Sequence, residues 1–190
     1  MAPKELFNFR LYFTGVLTMA IWSLLIWSLY HGGVPSHHIL QREDLPAISN
    51  WWGGFLLPII TWILLYLIQV RIKKQNLHGE AFNNSKNQII LSFWGSFTFG
   101  VFLAVSFSYG LSIVLDNILY VLLFIAFMAP IFRPEYILGF IIGMTFTFGV
   151  ILPTAFALIV VLISAPIYTY IRPLLLKLVQ RTKKTTKLRE

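Results

Sequence analysis

Between Ile89 and Phe132 the chain carries a single charged residue, Asp116. As one helix this stretch would be about 66 Å long, against a bilayer hydrocarbon core of about 30 Å. It must fold back on itself, and a hairpin of that length with one charge belongs in lipid. Two positions suit the turn. Tyr109-Gly110 divides the stretch into spans of similar length and leaves Asp116 about two helical turns into the second. Asp116-Asn117 has good turn and capping chemistry but makes the fourth helix short. The first is preferred. Arg133-Pro134-Glu135 closes the fourth span, since a proline disfavours helix at the residue before it.

Small residues then say how the helices pack. Ser92, Ser96, Gly100, Ala104, Ser108 and Ser112 recur at every fourth position. Helices in lipid gain little by hiding apolar surface and associate where small side chains let backbones approach. The third helix is therefore expected at the centre of a bundle. Gly139, Gly143 and Thr147 form a second small-residue stripe on the fifth helix. Ser96, Gly100 and Ala104 are expected to meet Gly139 and Gly143.

The remaining runs follow the same length rule. Leu11 to Tyr30 is too long for a signal-peptide core and is followed by HGGVPSHH rather than a small-x-small site, so it reads as a first span. The second runs from Trp51-Trp52 to about Val70, with Ser49 or Asn50 as cap and a bend at Pro58. Tyr136 to Ile171 is again too long for one pass, and Gly149 and Pro153 supply a turn. The tail, RPLLLKLVQRTKKTTKLRE, has leucines spaced to lie on a membrane surface and ends in a basic run. The resulting expectation is an all-α polytopic integral membrane protein: a six-helix transmembrane domain over 1–172, then a basic tail with a short interfacial helix over 173–190. The segments at 54 and 149 look alike, but both would run inward, so they do not form an inverted repeat.

Charge supplies an independent argument for the count. With six spans, both termini and the loops at 71–88 and 133–135 share one side. That side then holds every Lys and Arg except Arg42. Five spans would put the basic tail opposite the basic 71–88 loop, against the positive-inside rule. Both ends are expected in the cytoplasm, in a plasma membrane of the bacterial inner-membrane type. The net charge of +8 comes from these span ends and the tail, with no aromatic-basic face for nucleic acid. Only 12% of residues are charged, about half the share in soluble domains.

Chemistry is sparse. No cysteine is present, which excludes disulfides and thiolate sites. No lysine lies within a span to carry a retinal, and there is no phosphate loop or GxSxG elbow. Asp116 is the one acid inside an apolar run, and ionisable groups in spans are usually functional because burying them is costly. In the six-span topology it reaches the outer surface that also carries His31, His37, His38, Glu43 and Asp44. Imidazoles beside carboxylates can bind a metal or respond to pH near neutrality. Against this, the spacing matches no metal-binding motif, and the same residues serve as ordinary interface groups with Asp116 as a helix cap. No metal site, cofactor or catalytic residue is assigned. The pair His78 and Glu80 reads as solvated.

Size and topology point first to a small transport or permeation component for a small solute or ion. A structural or accessory subunit of a membrane complex is one alternative. A membrane-embedded metal-dependent enzyme using the outer His/Asp cluster is another. The bilayer is the expected partner, with a protein partner or second copy through the small-residue faces.

Overall fold

Contacts near the helix ends fix the direction of each helix in the computed structural model, which describes residues 3–34, 36–38, 47–77 and 82–187. Helix α1 (Pro3–Tyr30) leads to a short antiparallel ribbon of β1 (Ser36–His38) and β2 (Ala47–Ser49). A 3-10 turn at Asn50–Trp52, capped by the Ser49 hydroxyl accepting from the Trp51 N–H, starts α2 (Gly53–Leu77). Then come α3 (Phe82–Ser108), α4 (Ser112–Met128), α5 (Pro134–Phe148) and α6 (Ile151–Pro166). A π-helical turn over Ile167–Ile171 carries α6 on into α7 (Arg172–Lys187).

Four stretches are long and apolar enough to cross a bilayer: Lys4–Tyr30, Asn50–Gln75, Lys86–Ser108 and Ile151–Leu178. The fold is that of a helical membrane protein. Helices α4 and α5, at about 26 and 22 Å, are shorter than the core of a bilayer. From α1 to α6, successive helices alternate in direction. Phe7 meets Trp62 and Trp22 meets Phe55, so α1 and α2 are antiparallel. Arg71 pairs with Glu135 at one end of α2 while Gly53 packs on Val150 at the other, so α2 and α5 are antiparallel too. Helices α3 and α5 run parallel, from Gly139 beside Phe93 and Ser96 to Phe107 beside Phe148. One end of the bundle therefore collects Lys4, Arg10, Arg71, Lys86, Arg133 and Arg172. The other holds His31, Asn50, Gly110 and Gly149.

The buried core joins Leu25 of α1, Leu57 and Leu64 of α2, Leu103 of α3, Leu138 and Ile141 of α5, and Ala157 of α6. Its closest crossing is α3 on α5. A side chain at Gly139 would run into the Phe93 carbonyl and the Ser96 hydroxyl, and one at Gly143 into the Phe97 carbonyl. A Cβ at Gly100 would lie 2.8 Å from the Phe140 carbonyl oxygen. Ala104 is also buried. Small residues are required here because backbone faces backbone.

Several sequence-based expectations need correction. The central helix is α5 rather than α3. Glu135, Leu138, Gly139, Phe140, Ile141, Gly143 and Thr145 are all buried, whereas α3 leaves Leu91, Trp94, Val101, Phe102 and Val105 exposed. The stripe on α3 stays buried or half-buried only from Ser92 to Ala104, and Ser108 and Ser112 are exposed. A four-residue repeat drifts by about 40° per step against 3.6 residues per turn, so it leaves the crossing. The loop expected over 71–88 is mostly helix, because α2 runs on to Leu77 and α3 starts at Phe82. The tail is continuous with α6 through the π turn, so residue 172 is no break in the helix. The turn between α3 and α4 falls at Tyr109-Gly110, with Gly110 at φ 65°, and Asp116 stands just over one turn into α4 instead of two.

The α5–α6 connection shows how a short helix is accommodated. Irregular backbone at membrane depth is tolerated where protein covers it. Gly149 (φ 69°) and Val150 are buried, Val150 to 1% exposure. The Asn50 side-chain oxygen sits against the Gly149 Cα, leaving no room for a Cβ, and Gly53 packs on Val150. The start of α2 thus roofs the turn.

Candidate functional site

The ionisable groups withdrawn from water lie at the basic end. Glu135, in the first turn of α5, has no exposed surface, and its Oε1 accepts from the Arg71 Nη1 of α2. Its Oε2 and the Arg71 Nη2 are buried with no further partner among the described residues. A second guanidinium, Arg133, sits in the loop ahead of α5. Burial, and then the like charge of Arg71, push it below its ordinary pKa, while Glu135 pulls the other way. Arg71 holds the carboxylate, and Arg133 feels both of them without an ion pair of its own among the described residues. Arg10, 9% exposed, is held differently: its guanidinium lies 4.0 Å over the Trp62 ring, with Phe7 and Tyr66 at 5.3 and 5.4 Å. The negative faces of aromatic rings take the place of a counter-ion. Beside it the Gln69 amide donates to the Leu6 carbonyl, tying α2 to the start of α1.

Next to this charged layer is an apolar cavity of about 230 Å³ between α3, α4, α5 and α6. Gly95, Phe99, Leu122, Ile125, Phe140 and Phe156 form much of its wall, and Ile131 and Tyr136 bring it to the basic end. Gly95 leaves the wall open: nothing lies within 4 Å of where its Cβ would be. Beyond Arg133, Phe132 packs on Tyr168 at 6.0 Å, and the Arg172 guanidinium lies 4.6 Å over the same Tyr168 ring. A second cavity, about 370 Å³, lies at the opposite end between α1, the start of α2 and the end of α5. Ser28, Asn50 and Thr145 are among its lining residues. The two cavities share no wall residue, and Leu57 and Ile141, at 3% and 0% exposure, lie in the core between these levels.

The outer cluster fares as follows. His31 ends α1, its ring stacked on Trp27 at 3.8 Å and its Nδ1 2.9 Å from the Trp27 carbonyl. Asp116 is exposed on α4, which packs on α3 and α6 while α1 packs chiefly on α2. No hydrogen bond or ion pair joins His31 to Asp116 among the described residues. Neither lines a cavity described above. The helix cap is at Leu111, so Asp116 is not the cap either. The side chains of His37 and His38, and all of Glu43, Asp44, His78 and Glu80, lie outside the described residues. Among the described residues no three His, Cys, Asp or Glu gather as a metal site.

Sequence reasoning passed over Glu135 as a site residue and read Arg133-Pro134-Glu135 only as the close of the fourth span. One signal pointed to it. It is the only acid in the tight connection between two apolar helices, where a charge cannot move far from the bundle. Comparison with protein-family models, with curated proteins and with solved structures returns no match to this chain.

Proposed function

We propose that this chain is a six-pass protein of the cell membrane with both ends cytoplasmic, acting as a small transport or permeation component whose solute is lipid-like. The alternating helix directions and the gathering of basic residues at one end support the topology. The observation that carries the functional reading is the cavity walled by α3, α4, α5 and α6. Its lining is almost wholly apolar, and it is larger than the roughly 150 Å³ apolar cavities that stay dry and take up hydrocarbons. Such a space fits a hydrocarbon chain and offers nothing to a hydrated ion. Gly95, in that wall, is exposed and has nothing within 4 Å of where a Cβ would stand, which supports access for a chain from the side.

The test is photo-crosslinking with a phosphatidylcholine that carries a diazirine near the end of one acyl chain. Adducts are expected on the segments around Phe99, Leu122 and Phe140. Gly95→Leu should reduce them several-fold, since Gly95 is part of the cavity wall and a bulkier residue there narrows it, with nothing within 4 Å of the new Cβ to clash with. Labelling spread evenly over all exposed apolar residues, and unchanged in Gly95→Leu, overturns the reading.

A further inference from the structure

The charged layer beside the cavity says what the chain's headgroup should be. The geometry points to an anionic phospholipid as the occupant, one acyl chain in the cavity and its phosphate on Arg133 and Arg172. This rests on the cavity holding a hydrocarbon chain, and adds the class of headgroup.

Three observations converge on it. Ile131 and Tyr136, both in the cavity wall, stand two residues before and three after Arg133, so the apolar space reaches the connection that carries Arg133. Arg172 stacks over the Tyr168 ring, Phe132, next to Arg133 in the chain, packs on the same ring, and Tyr168 is among the groups that act electrostatically on Arg133. Finally, the local charge does not balance. Glu135 is engaged by Arg71, so Arg133 is a half-buried cation whose nearest like charge is Arg71. A phosphate at this point would relieve that repulsion and satisfy guanidinium donors, which suit phosphate geometry. A zwitterionic headgroup brings its own cation into the same place and gains less.

The experiment uses the full chain in a mild non-ionic detergent, titrated with dioleoylphosphatidylglycerol or dioleoylphosphatidylcholine. Bound lipid is counted by native mass spectrometry, with melting temperature as a second readout. At about fivefold per arginine near a membrane surface, the wild type should prefer the anionic lipid by roughly 25-fold. Arg133→Gln with Arg172→Gln should erase that preference while binding of the phosphatidylcholine persists. Arg172→Gln alone, away from the core, should reduce it about fivefold. Lysine at both positions should retain most of it. Inorganic phosphate alone at matching concentration should leave the melting temperature unchanged.

Equal affinity of the wild type for the two lipids overturns the headgroup inference and leaves the chain reading standing. So does a preference that survives loss of both arginines. Stabilisation by inorganic phosphate equal to that by the anionic lipid also overturns it, since the site would then be for a free anion. Unchanged binding of both lipids in Gly95→Leu overturns the chain reading itself.

Discussion

Helices α4 and α5 are near equals in length and both are strongly apolar, yet they occupy opposite environments. Helix α5 is buried along most of its length, and α4 shows Leu119, Tyr120, Val121, Phe124 and Met128 to its surroundings. Each has one acidic residue near its start. Glu135 on α5 is completely buried and paired; Asp116 on α4 is exposed. What separates them is size rather than hydropathy. Helix α5 carries Gly139 and Gly143 one turn apart, and α4 has no glycine. In lipid an apolar surface is indifferent to burial, so close backbone contact decides which helix takes the centre.

The sharpest way to break this contrast is to alter the two acids. Removing one member of a buried pair strands the other, at a cost of about 3–5 kcal/mol. Arg71→Ala or Glu135→Ala should destabilise the protein by that amount, read by reversible unfolding in detergent or bicelles. Arg71→Met combined with Glu135→Leu should recover most of the loss, because the pair itself contributes little beyond its own desolvation. A loss below about 1 kcal/mol for both single variants would mean that the carboxylate is reached by water.

A second comparison, smaller in effect, concerns the crossing. Gly139→Ala or Gly143→Ala forces a methyl against a backbone carbonyl of α3 and should cost about 1–3 kcal/mol. Leu119→Ala on the bare face of α4 should stay within about 0.5 kcal/mol. Gly95→Ala, in α3 but away from the crossing, should be neutral or stabilise by up to about 1 kcal/mol through helix propensity. Equal costs at Gly139 and Gly95 would remove α5 from its central place.

The crossing itself was legible in the sequence, because Ser96, Gly100, Gly139 and Gly143 mark the places where only small groups fit. Turns were legible where glycine with positive φ was needed, at Gly110 and Gly149. Which helix is central was not legible, because hydropathy grades α4 and α5 alike and the repeat on α3 continues past the point where it leaves the contact. Glu135 was missed for a related reason. A sequence records that a charge stands beside an arginine and a proline at the end of a run. It does not record that α2 extends a further turn and brings Arg71 to the same depth. Extension of α2 to Leu77 depends on packing and on good helix formers such as Lys73, Lys74 and Gln75, which hydropathy reads as a loop.

The smallest expected effect is at Asp116, and it decides what the end opposite the basic residues does. Asp116 stands just over one turn into α4, is exposed, and no described residue pairs with it. Asp116→Leu should therefore change stability by no more than about 0.5 kcal/mol. The chain has no cysteine, so Asp116→Cys provides a single thiol to follow. In sealed cells an impermeant maleimide should label it, and should label Lys86→Cys only after permeabilisation, if the proposed six-pass topology holds. The contrary result is informative. A loss above about 1 kcal/mol on Asp116→Leu, matched by the same loss in His37→Ala or His38→Ala, would give Asp116 a partner among the outer histidines. It would place a polar recess at that end, and the equivalence between a bare α4 and an idle carboxylate would fail.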